Sequence, residues 1–147
     1  MIAVSLGRPQ RHAVVASAAY FEKHRRPIFP ADLLDHQCMR VRLPNGAMFK
    51  WHFEKLGEAV QIDVPGRITL DEPSVARMTV LGGVGIGLFM EQDVIADIQA
   101  GRLVRVLEDC TPDFEGLCLY YPNRRNSSAA LKAFMKLTRK IAPSVQD

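Results

Sequence analysis

The segment from Asp71 to Leu107, DEPSVARMTVLGGVGIGLFMEQDVIADIQAGRLVRVL, constrains the fold most, because it makes two complete passages from helix to strand. Asp71 is a good N-cap, Pro73 suits a first helical turn whose N–H groups lack partners, and Ala76, Val80 and Leu81 keep helical spacing. These signals predict a helix of about ten residues closed by Gly82-Gly83. Val84 to Phe89 is then a short apolar run suited to a buried strand. A second helix is expected over Glu91 to Ala100. Its apolar face is Val94, Ile95 and Ile98, and Gln92, Asp93, Asp97 and Gln99 lie mostly elsewhere. Gly101 stops it, and Arg102 to Leu107 alternates as a half-buried strand does. The result is an αβαβ unit that crosses a sheet repeatedly.

Gly83-Val84-Gly85-Ile86-Gly87 superficially matches a dinucleotide fingerprint. In that motif the glycines follow a strand and open a helix, so that pyrophosphate meets the helix N-terminus. Here they follow a helix and open a strand, which excludes the nucleotide reading.

With 147 residues, 48% of them hydrophobic and 24% charged, the chain has the composition of one soluble α/β domain. A net charge of +3, dispersed except at Arg25-Arg26 and in the last helix, lacks the concentrated footprint of a nucleic-acid binder. Three cysteines, Cys38, Cys110 and Cys118, without CxxC spacing argue against a disulfide framework. No apolar run is long enough for a membrane span and no secretory layout opens the chain, so the expectation is a cytoplasmic protein.

Along the rest of the chain, Ile2 to Leu6 and His12 to Ala16 read as strands, and Ser17 as the cap of a helix over Ala18 to His24. Pro27 and Pro30 break the chain before a single turn at Ala31 to Leu34. Met39, Val41 and Leu43 alternate with arginines, and beyond the Pro44-Asn45-Gly46 turn Phe49, Trp51 and Phe53 alternate again, which predicts a hairpin with an aromatic inner face. Val60, Ile62 and Val64 form a further strand, and Ile68 to Leu70 leads into the central helix. Leu117 to Tyr121 is an apolar strand stopped by Pro122. In the last helix Asn126 or Ser127 is the cap, Leu131, Phe134, Leu137 and Ile141 are the core face, and Pro143 is the end.

Read together, Val15-Ala16-Ser17-Ala18-Ala19-Tyr20-Phe21, Pro30-Ala31-Asp32-Leu33, His36 and Cys38, Trp51-His52-Phe53, the glycine run from Gly83, Gly101-Arg102-Leu103-Val104-Arg105-Val106-Leu107 and Tyr120-Tyr121-Pro122-Asn123-Arg124-Arg125 with Phe134 resemble the C-terminal part of LysR-type transcriptional regulators. The resemblance spans nearly every residue. It implies a mixed open α/β sheet with helices on both faces, a partial fold of the type 2 periplasmic-binding-protein kind that is mostly the second lobe. Residues 12–116 would be that lobe, with 1–11 and 117–147 as crossings and first-lobe remnants. The winged helix-turn-helix, linker helix and opening of the first lobe would lie outside the sequence. Two positions depart from the family pattern: Ala18 and Met90 stand where prolines are usual.

The resemblance also implies a small-molecule effector in a cleft between lobes. The expected place is the N-terminus of the central helix, where unpaired N–H groups and the dipole favour a carboxylate or other polar ligand. Asp71, Glu72 and Pro73 sit there, either as ligand contacts or as an ordinary cap. Ser17 either reaches the ligand or only caps its own helix. Arg42 either pairs with an anionic effector or stays on a solvated strand face. Phe89 and Tyr121 either line an apolar pocket or belong to the core. His36 and Cys38 lack the second ligand pair a structural zinc site needs and read as core packing. Lys132, Lys136, Arg139 and Lys140 read as a solvated helix face.

No nucleophile–base pair, metal cluster or cofactor motif is evident, so neither an enzyme nor a cofactor is expected. The leading expectation is a non-catalytic effector-sensing domain that forms a homodimer or higher oligomer and reaches DNA only through a helix-turn-helix elsewhere. The alternative is a truncated stand-alone module that pairs with intact regulators.

Overall fold

A computed structural model describes residues 2–116, 118–121 and 128–141, except for the side chains of Ile2, Val4, Tyr121 and Arg139. The strands are β1 (Ile2–Ser5), β2 (His12–Ser17), β3 (Arg40–Val41), β4 (Trp51–Lys55), β5 (Glu58–Ile62), β6 (Thr69–Leu70), β7 (Gly87–Met90), β8 (Leu103–Val106) and β9 (Cys118–Tyr121). The helices are α1 (Ala18–Lys23), α2 (Pro73–Leu81), α3 (Glu91–Gln99) and α4 (Ala129–Ile141), with a 3-10 turn at Pro30–Asp35 and another at Glu108–Cys110. The chain divides into two compact units, Arg11–Pro112 and Met1–Gln10 with Asp113–Asp147.

The Arg11–Pro112 unit is built on β2, flanked by β7 and β8, both antiparallel to it. Side chains alternate along a strand, and here both faces are covered, so β2 is apolar from Ala13 to Ala16. Val14 and Ala16 face Tyr20, Leu33, Trp51 and Phe53; Ala13 and Val15 face Ala76, Val80, Val94 and Leu103. Thus α2 and α3 cover one face, and α1, the first 3-10 turn and the β4–β5 hairpin supply the other. Strands β3 and β6 pair in parallel, whereas the other strand pairs are antiparallel, and a parallel bridge between Cys38 and Ile86 links the residues just before β3 and β7. Gly85 permits this approach, because a Cβ there would strike the Gln37 backbone carbonyl.

The expected caps hold in part. Ser17 Oγ accepts from the Tyr20 N–H at 3.1 Å. Helix α2 starts one residue later than the Asp71 cap implies: Glu72 is the N-cap, because its longer side chain reaches the Ser74 N–H from an extended backbone. The helix does end at Gly82 and Gly83, the latter at φ +84°.

Three other expectations are corrected. The expected strand at Val84 begins only at Gly87, and Val84 is exposed. The hairpin is β4 with β5, turned at Leu56-Gly57, where both residues have positive φ as a type I′ turn requires. The expected strand before the Asn45 turn does pair across that turn, through an antiparallel Arg42–Met48 bridge and a hydrogen bond from the Leu43 N–H to the Ala47 carbonyl, but only over these few residues; β3 also pairs in parallel with β6, and the buried aromatic face of Trp51 and Phe53 belongs to the β4–β5 hairpin. Asp97, expected mostly away from the apolar face of α3, is buried beside it because it lies one turn from Val94; Arg77 and Arg102 supply its counter-charges.

In the other unit, β1 and β9 form an antiparallel ribbon, extended by a Gln10–Phe114 bridge. Leu117, Pro122, Asn126, Ser127 and Pro143 lie outside the described residues. Ser128 acts as a cap of α4, accepting from the Leu131 N–H. The expected core face of α4 is largely uncovered: Phe134, Leu137 and Ile141 are 51%, 55% and 73% exposed. A two-stranded ribbon presents too little apolar surface to bury it.

Candidate functional site

Within the Arg11–Pro112 unit a cavity of about 230 Å³ opens at the N-terminal end of α2. Its walls come from four places. Glu72, Pro73 and Ala76 belong to the start of α2, Gly87 to Met90 to β7, and Met39, Val41 and Leu43 to the β3 region; His12, Phe49, Leu70 and Asp93 complete it. The wall is apolar because alternate residues of the β3 region face it. Arg42, between Val41 and Leu43, does not line it. Hydrogen bonds from the Arg42 N–H to the Leu70 carbonyl, 2.9 Å, and from the Phe49 N–H to the Val41 carbonyl, 2.8 Å, hold this wall together.

At the mouth, Glu72 Oε1 accepts from the Ser74 N–H at 3.2 Å and from Ser74 Oγ at 3.0 Å. The side of the helix N-terminus that would attract an anion is therefore already served by a carboxylate of this chain. His12 opens β2 opposite Met90, and its carbonyl accepts from Arg105 Nη2 at 2.9 Å. Burial, and secondarily the charge of His52, push the His12 imidazole below its ordinary pKa.

The structure brings Glu72, Pro73 and Phe89 together around this cavity, but not Ser17, Asp71 or Arg42. Ser17 is buried as the cap of α1, and Asp71 is exposed. Tyr121 belongs to the other unit and its side chain lies outside the described residues. Sequence reasoning did not single out His12, Asp93, Met39 or Phe49 as lining residues. The available signal was the alternation of Met39, Val41 and Leu43, which marks a shared face without saying what lies across from it.

Cys38 is fully buried, and burial pushes its thiol up to about 12, far from a nucleophilic or metal-binding thiolate at neutral pH. His36 packs at the edge of the core, its Nδ1 2.7 Å from the Tyr20 hydroxyl. Among the described residues no group of three or more His, Cys, Asp or Glu side chains is arranged to hold a metal ion. Nor is any described helix long and apolar enough to cross a membrane.

The scaffold is a mixed α/β one with an apolar cavity at a helix start. The LysR substrate binding domain family matches residues 1–142, and the chain belongs to that family. A Pseudomonas aeruginosa protein assigned to transcriptional regulation is 39% identical over 144 residues, covering 97% of this chain and 47% of that protein. The uncharacterized HTH-type transcriptional regulator YcaN of Escherichia coli is 39% identical over 135 residues, covering 92% and 44%. The chain thus spans about half the length of these curated relatives. The regulatory domain of AphB from Vibrio vulnificus, in a structure treated with cumene hydroperoxide, superimposes with a TM-score of 0.74 at 26% identity, covering 95% of this chain and 69% of that one. The fold is accordingly that of LysR regulatory domains.

Proposed function

We propose that this chain is the small-molecule sensing part of a bacterial LysR-type transcriptional regulator and acts without catalysis in the cytoplasm. The Arg11–Pro112 unit is its second lobe, and the cavity at the start of α2 is that lobe's share of an interlobe effector cleft. Glu72, Pro73 and Phe89 are walls of the site. The observation that carries this reading is the position of that cavity: a half-open apolar hollow with a few polar groups, at a helix start, in a chain of this family. The effector acts by favouring one lobe or subunit arrangement over another. DNA is contacted by a helix-turn-helix domain outside this sequence, and the working form is a homodimer or larger.

A thermal-shift screen of small metabolites tests it. An effector raises the melting temperature by several degrees at saturating concentration. Ala76→Leu, which fills the cavity from α2, removes that rise. A ligand that stabilises the variant as much as the parent would place the site elsewhere.

A further inference from the structure

We infer that the cavity at the start of α2 accepts a small apolar molecule carrying an amine cation and discriminates against carboxylates; this rests on the effector reading above. Among the described residues its only charged or polar lining side chains are His12, Glu72 and Asp93, and no lysine or arginine lines it. Of the neighbouring guanidinium groups, that of Arg42 is exposed and does not line the cavity, and three others are held elsewhere. Arg11 donates to the Thr111 and Glu108 carbonyls, Arg105 to Glu91 and the His12 carbonyl, and Arg40 pairs with Asp63.

The helix start does not offset this excess of negative charge. Glu72 takes the place an anionic ligand would take at α2, with Ser74 donating to Oε1, while Oε2 of Glu72 and both Asp93 oxygens accept no hydrogen bond among the described residues. Those three oxygens are acceptors at the rim of an otherwise apolar hollow. His12 is biased to its neutral form by burial, so it supplies no counter-charge near neutral pH. Phe49 and Phe89 add aromatic walls, whose faces attract cations and repel anions. A carboxylate entering here would meet two like charges at the rim, with no lysine or arginine among the described lining residues to offset them. An ammonium would meet the reverse.

The test uses the whole chain labelled with [13C]methyl-methionine. Met39 and Met90 line the cavity, whereas Met78 is exposed on α2 and Met135 lies on α4, so the two pairs report site and background. The probes are 2-phenylethylamine, 2-phenylethanol and phenylacetate. The amine is expected to shift the Met39 and Met90 methyls with Met78 and Met135 unmoved, and to bind about tenfold more tightly than phenylacetate. Asp93→Asn, and separately Glu72→Gln, which keeps an oxygen to cap α2, should each weaken the amine severalfold and narrow the gap to phenylacetate. Equal or tighter binding of phenylacetate, or an amine affinity untouched by both variants, overturns the charge preference and leaves the effector reading in place. Failure of all three probes to move Met39 or Met90 overturns both.

Discussion

Arg77 on α2 holds Asp97 on α3 through two parallel hydrogen bonds, Nε to Oδ2 and Nη2 to Oδ1, each 2.8 Å. Arg102, just before β8, adds a third to Oδ1 at 3.0 Å. Asp97 is 1% exposed, so its carboxylate would be costly to bury without these donors. The arrangement ties both helices on one face of the sheet to the strand that follows them.

Removing the carboxylate should therefore cost more than removing either arginine. Asp97→Ala is expected to destabilise the fold by about 2 kcal/mol, the loss of several charge-assisted hydrogen bonds. Arg77→Ala should follow, and Arg102→Ala should cost least, because Arg102 makes one bond and is the more exposed. Urea unfolding of the three variants gives the order directly; Arg102→Ala as the worst would contradict it.

The same pair sets the acid limit of stability. The Arg77 hydrogen bonds, aided by Arg102 and opposed by burial, hold the Asp97 carboxyl below its ordinary 3.8. In the window between the folded and unfolded values the unfolded chain binds more protons, so stability is full above about pH 4 and falls as pH drops through the folded value. His12 and His36, whose pKa values burial lowers, act in the same direction nearer neutrality. Their depressed values mean that the unfolded state protonates first, so stability also declines on acidification below about pH 6.5. Melting temperatures from pH 3 to 8 should show both declines, with Asp97→Asn flattening only the lower one.

Cysteine reactivity should separate the three thiols. Cys38, with its pKa pushed up to about 12 and no exposed surface, and Cys110, also buried, are expected to resist iodoacetamide in the native chain. Half-buried Cys118, its Sγ directed at the Gly116 carbonyl, should react first. Mass spectrometry of partly alkylated protein reads the order. Early modification of Cys38 would show that the core opens readily.

The apolar face of α4 should show in solution behaviour. With Phe134, Leu137 and Ile141 more than half exposed, the chain is expected to self-associate in a concentration-dependent way. Leu137→Lys should reduce the association seen in ultracentrifugation. A parent chain that stays monomeric at high concentration would contradict this.

Much of the local structure was legible because short-range rules govern it. The glycine closure of α2, the Ser17 cap of α1 and the α2–β7–α3–β8 succession follow from residues a few positions apart. Long-range pairing was less legible. Strand β3 reads as the partner of the adjacent aromatic segment and meets it briefly at Arg42–Met48, but its parallel pairing with β6 and the pairing of Trp51 and Phe53 with β5 were not legible, because apolar alternation marks a face and not a neighbour. Asp97 reads as lying off the apolar face of α3 until Arg77, twenty residues earlier, is placed beside it. The site shows the same division. Glu72, Pro73 and Phe89 were reachable from helix and strand ends, whereas His12, Met39 and Asp93 join them only once β2, β3, β7 and α3 are assembled.

The cavity at the start of α2 is proposed as the place where the effector binds. A crystal structure of the chain with the tightest ligand from the thermal-shift screen tests it most directly. Ligand density is expected in contact with Glu72, Phe89 and Met90. Density at another surface, with this cavity empty, would contradict it.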